Sequence, residues 1–183
     1  ARATFLAVTP IVVAGWALNG FYLSLGPSLT ASLTGGDDRL VAGLPLVAIF
    51  GAGAIGSLVT PHWSAARAVL VGAPLFVVGT VLTIAAVEVD QFWLYLVGSA
   101  VAGLGFGPSF AGSLRALAPL VALTERGELL TAVYVTSYLG FSVPALAAGV
   151  LTSHIGLRAT ANGYAAVIVA LALIATVAYA ARA

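Results

Sequence analysis

The chain contains no cysteine, no methionine and no lysine. Without cysteine there is no disulfide framework, no thiol nucleophile and no thiolate metal site. Charge is nearly as scarce. Seven arginines and six acidic residues make up 7% of the chain, against about 25% in an ordinary soluble domain. A 183-residue soluble fold must cover itself with polar surface, and so few charges cannot do that. A soluble enzyme is excluded on this ground. A nucleic-acid partner is excluded too, because a net charge of +1 with no basic cluster offers no face for phosphates. What is present is apolar: 61% hydrophobic residues and a mean hydropathy of +1.12. The composition defines an integral membrane protein whose first partner is the lipid bilayer. The missing methionine, absent even at position 1, leads to the expectation that the sequence is a piece of a longer or processed polypeptide. Arginine without lysine, beside abundant Ala, Gly, Leu and Val, fits a GC-rich bacterial genome.

A membrane-spanning helix needs about 20 mostly apolar residues, since the hydrocarbon core is about 30 Å thick and each residue rises about 1.5 Å. The few charges therefore punctuate the chain. Uncharged runs extend over 3–36, 40–61, 68–87, 92–114, 129–153 and 159–181. They are broken by Asp37-Asp38-Arg39, His62 and Arg67, Glu88 and Asp90, Arg115 with Glu125-Arg126-Gly127-Glu128, and His154 with Arg158. Outer-membrane barrel strands are about ten residues long with alternating polarity, which these runs are not. The sequence predicts six spanning helices joined by short loops. Counting arginines by side places Arg2, Arg67, Arg115, Arg126 and Arg182 together and Arg39 and Arg158 opposite. The richer side is expected to be cytoplasmic, with both termini there.

An internal repeat is also legible. Gly26-Pro27-Ser28 recurs as Gly107-Pro108-Ser109, and Thr60-Pro61-His62 as Thr152-Ser153-His154. Arg67-Ala68 with Gly72 recurs as Arg158-Ala159 with Gly163. These anchors keep their order and sit near helix ends. They divide the chain into three-helix units of about 1–87 and about 91–183. Because three is odd, the second unit enters from the opposite face, which makes an inverted repeat.

With these motifs in place, the whole chain resembles the major facilitator superfamily, specifically its carboxy-terminal six-helix half. The fourth helix carries Gly103-Leu104-Gly105-Phe106-Gly107-Pro108 with Gly112. Arg126-Gly127 is similar to the pair that opens the fifth helix of such a half. Ser142-Val143-Pro144 with Ala148-Gly149 is similar to a degenerate antiporter signature. In the loop between helices 2 and 3, Gly56 and Leu58 fit the superfamily's signature. Thr60, Trp63 and Ser64 depart from it at its acidic, second glycine and arginine positions, leaving only Arg67 nearby. The resemblance implies an all-α membrane fold of two inverted three-helix repeats. It further implies a bacterial inner-membrane transporter, drug:proton antiporter-like. This would export small amphipathic or apolar solutes by alternating access, rocking against a missing amino-terminal half or a second copy. It implies that helices 1, 2, 4 and 5 face a central cavity and helices 3 and 6 face lipid.

The candidate substrate-cavity residues are Asn19, Tyr22, Ser109, Tyr134 and Tyr138. Asn19 and Tyr22 are three apart and share a helix face. An amide in hydrocarbon is costly unless bonded, so Asn19 is a substrate contact or an interhelical hydrogen bond. Tyr134 and Tyr138, four apart, form one stripe that either lines a cavity or marks the membrane interface. Gly103 and Gly107 form a Gly-x-x-x-Gly pair suited to close helix packing. Pro108 and Pro144 interrupt the helical ladder and could let their helices bend during gating. Gly56, Arg67, Arg115 and Arg126 are expected to anchor the cytoplasmic loops, with Arg115 bonding the loop between helices 2 and 3. His62 and His154 fall at helix ends on opposite sides. No metal, cofactor or enzymatic activity is expected.

No Asp or Glu lies inside a predicted span. Proton-driven transporters usually hold such a group in the membrane, so the coupling residue of an antiporter would belong to the other half. Two further readings compete. One is a rhomboid-like intramembrane serine protease built on Ser109 and His154; the other is a non-transporting membrane scaffold.

Overall fold

The computed structural model describes residues 2–36, 38–120 and 126–181. Arg182, Asp37 and Glu125, used above to place span ends, lie outside them. The described residues are almost entirely helical. In chain order they form α1 (Arg2–Ser24), α2 (Gly26–Thr34), α3 (Arg39–Val59), α4 (Ala65–Glu88), α5 (Phe92–Leu117), α6 (Arg126–Ile155) and α7 (Leu157–Ala180). Five of these, α3 to α7, are long and apolar enough to cross a membrane. Local chemistry sets their starts. Asp38 caps α3 by accepting from Leu40 N at 2.8 Å. Ser64 caps α4 by accepting from Arg67 N at 3.2 Å, which satisfies one of the four free donors of a helix N-terminus.

The first apolar run, expected as a single helix, is two. Pro27 has no N–H to give the Leu23 carbonyl, and its ring crowds the turn before it. The chain kinks at Leu25, although Leu25 N still reaches Phe21 O at 2.8 Å and Leu29 N reaches Leu25 O at 2.9 Å. Gly35, at φ 68, then ends α2 in a left-handed cap, the conformation that glycine adopts most readily. The repeat-related Pro108 does not break its helix: α5 runs unbroken from Phe92 to Leu117. Gly56 of α3 sits where an added Cβ would lie 3.0 Å from Pro108 Cδ and 2.9 Å from the Leu104 carbonyl that Pro108 leaves free. The neighbouring backbone covers the interrupted rung. Pro144 likewise lies within an unbroken α6.

Packing crosses between the two parts of the chain. The most extensive contact joins α4 to α5, followed by α3 to α5. On the other side α1 packs on α6 and α7, while α4 and α7 meet behind. Thus the second and third long helices of the first part dock on α5, and α6 and α7 dock on α1. Lipid offers no hydrophobic drive for this, so close backbone approach carries it. Gly105 and Gly72 bring α5 against α4; Gly103 and Gly107 bring it against α3. At Gly107 a Cβ would meet the Gly53 carbonyl and lie 2.7 Å from Ser57 Oγ. At Gly20 it would lie 2.7 Å from the Phe141 carbonyl of α6. The large buried side chains, Phe21, Tyr22, Phe76 and Tyr95 among them, fill the centre.

At one end of the bundle a polar latch joins α4 to α7. Arg158 pairs with the Asp90 carboxylate, and Asn162 Nδ2 donates to Glu88 Oε1 at 2.7 Å.

Candidate functional site

α1 is the central helix, and nearly every residue from Ile11 to Tyr22 is buried. Its remaining open face holds Trp16, with Leu23 beyond it. α5 flanks this face on one side and α6 on the other. Trp16 meets Phe110 of α5 edge-on, with ring centroids 6.2 Å apart, and Tyr138 of α6 at 6.3 Å. Phe110 stacks on Phe106 at 5.8 Å, and Tyr138 stacks on Tyr134 at 6.5 Å. Five rings therefore form a continuous strip across three helices. All spacings fall within the range in which aromatic pairs attract. The helical period explains the strip: Phe106 and Phe110, like Tyr134 and Tyr138, are four apart and share a face. Tyr138 is 64% and Tyr134 57% exposed.

Six buried side-chain polar atoms on these three helices have no hydrogen-bond partner, three of them on Trp16, Asn19 and Ser137 and the others on Tyr95 and Arg115. Trp16 Nε1, Asn19 Oδ1 and Ser137 Oγ are buried and make no hydrogen bond. Asn19 is only 4% exposed and lies one turn beyond Trp16. Leaving such a group unmatched costs about 1–3 kcal/mol.

Other sequence candidates lie elsewhere. Tyr22 turns away from the open face. Its hydroxyl donates to Ser99 Oγ of α5 at 2.8 Å and lies 3.0 Å from Thr83 Oγ1 of α4, so it joins three helices internally. The expectation that Tyr22 lines a cavity is corrected accordingly. Ser109 is corrected too. It is 1% exposed, donates to the Gly105 carbonyl at 2.7 Å, and sits at the α4–α5 contact beside Gly72. Its hydroxyl meets α4 at Gly72, whereas Phe106 and Phe110 meet α1 at Gly15 and Trp16. Trp16, Phe106 and Phe110 were missed as candidates. Their signals were an aromatic three residues before an amide within an uncharged run and a phenylalanine pair four apart.

The anchor residues divide as well. Arg67 lies over the Trp63 ring with its guanidinium carbon 4.7 Å from the centroid, within cation–π range. Trp63 thus holds that arginine at the turn before α4. Arg115 does not make the expected bond to this loop: its Nε and Nη2 are buried without a partner. Arg126 stands exposed at the start of α6. The histidines are at helix ends. His62 lies in the turn before α4, and His154 Nδ1 bonds the Val150 carbonyl at 2.9 Å.

No family model and no curated protein sequence matches this chain.

Proposed function

We propose that this chain is a transporter half of the major facilitator kind, six spans in two inverted repeats. It moves a small amphipathic or apolar solute across a bacterial inner membrane by alternating access. The observation that carries this reading is the aromatic strip on the open face of α1. Aromatic rings give a large contact area without charge, and the exposed Tyr134 and Tyr138 bring hydroxyls that give a bound solute directional contacts. This is the balance expected of a small-molecule site. The exchange of packing partners between the two parts of the chain supports an inverted repeat. An open face on the central helix supports a second six-helix body, a partner half or a second copy, closing over it.

The test is solute binding by the membrane-reconstituted protein. A fluorescent amphipathic dye is titrated into vesicles holding the wild type, Trp16→Ala or Tyr138→Ala. Weaker dye binding in both variants, with folding unchanged, supports the site; unchanged binding in both refutes it. The protease reading gains no support, because the Ser109 hydroxyl is tied to backbone and His154 bonds its own helix at an end.

A further inference from the structure

The repeat pairs Gly72 of α4 with Gly163 of α7, but their surroundings differ. A Cβ at Gly72 would collide with Ser109 and Gly105 of α5, whereas at Gly163 it would meet nothing within 4 Å. α7 packs instead on α1, the repeat counterpart of α5, and the side of α7 that bears Gly163 stays open. There a cleft of about 200 Å³ runs between α6 and α7. Its floor is Ala17, Ala148, Tyr164 and Ile168, all buried; Leu151 and Val167 form exposed walls.

The lining fixes the chemistry of an occupant. Among the lining residues none is charged. The two hydroxyls are already committed: Thr160 Oγ1 donates to the Gly156 carbonyl at 2.8 Å, and Tyr164 Oη to the Ala17 carbonyl at 2.9 Å. A polar occupant would lose its hydration for nothing. Length and position narrow it further. On α6 the cleft runs from Pro144 to Ile155, and on α7 from Ala159 to Leu171. At about 1.5 Å per residue each wall is about 16–18 Å long. One leaflet is half of a hydrocarbon core about 30 Å thick, about 15 Å. One end lies at the Gly156 turn, where the helices leave the apolar layer, and the open side faces outward between α6 and α7.

The geometry points to a binding site for one phospholipid acyl chain, held between α6 and α7 along a single leaflet. An acyl chain in the bilayer is already out of water, so what the groove adds is close packing along a rigid floor. This site is independent of the transport reading, since it requires only that α6 and α7 span the bilayer.

The test compares wild type, Gly163→Phe and Gly149→Phe reconstituted with phosphatidylcholine. Gly149 on α6 is exposed, has open space for a side chain and does not line the cleft. Native mass spectrometry reads retained lipid, and phosphatidylcholine spin-labelled on its acyl chain reads immobilisation. We expect wild type and G149F to retain one lipid and to immobilise the label, and G163F to lose about tenfold or more of both, because its ring fills the groove. Equal retention by all three, or retention by none, overturns the site. So does a cleft-dependent dimer without a lipid adduct, which would make the occupant a second copy. If G163F fails to fold by circular dichroism, Ala159→Leu narrows the same groove and must give the same loss.

Discussion

Tyr22 and Ser99, 77 residues apart, are joined by a hydroxyl–hydroxyl bond of 2.8 Å inside the bundle. The bond lies just before the kink at Leu25 and couples α1 to α5. Ser99 also donates to Tyr95 O and Thr83 to Gly79 O, so neither is stranded without Tyr22. Tyr22→Phe should therefore cost only about 0.6–1.7 kcal/mol, the scale of interhelical bonds in membranes. Tyr22→Ala, which also opens a void, should cost about 3–5 kcal/mol. Unfolding titrations in mixed micelles measure both.

Gly107 faces the Gly53 carbonyl of α3 with no room for a side chain. Gly107→Leu must push α3 and α5 apart, and we expect loss of folded, monodisperse protein on size-exclusion chromatography. Gly127→Leu, at an exposed position with open space, should elute as wild type does.

Trp16 and Tyr138 touch across α1 and α6. A double-mutant cycle on dye binding with Trp16→Ala and Tyr138→Ala should show coupling of about 0.5–1.5 kcal/mol, the value for an aromatic pair. Additive losses would show that the rings act separately.

Ser109→Ala removes a hydroxyl whose bond goes to its own helix. The Gly105 carbonyl keeps its place in the helical ladder, so the cost should stay below about 1 kcal/mol. Any activity of the protein should survive the change; abolition would return the nucleophile reading to contention.

Arg158 and Asp90 pair at the surface with 49% and 62% of their side chains exposed. Exposed pairs are worth about 0.2–1 kcal/mol and are screened by salt. Asp90→Asn should lower stability by no more than that at low salt, and the difference should vanish at high ionic strength.

Much of this architecture was legible in the sequence, because charge is too expensive in hydrocarbon to occur by accident. Asp38, Glu88 and Asp90 lie at helix ends as expected. The single-helix reading of 3–36 failed because run length reports hydropathy and says nothing of where a proline will kink. Pro27 and Pro108 share the same tripeptide, yet only the first divides its helix. Pro10, Pro45, Pro74 and Pro144 also lie inside unbroken helices, so the division at Pro27 is the exception. The same limit applies to Tyr22 and Ser109. Spacing shows which residues share a face, but not which neighbour that face meets. Asn19 and Tyr22 are three apart, yet Asn19 makes no hydrogen bond while Tyr22 bonds two helices.

The exchange of packing partners has a consequence for biogenesis. α3 and α4 depend on α5 for most of their contacts, and α1 depends on α6 and α7. As the chain leaves the ribosome, α3 and α4 are made before α5, and α1 before α6 and α7. During that interval the Asn19 amide and the Tyr22 hydroxyl lack the neighbours that bury them in the finished bundle. Assembly can finish only after α7 is made, so the order of translation sets how long the nascent bundle must be sheltered.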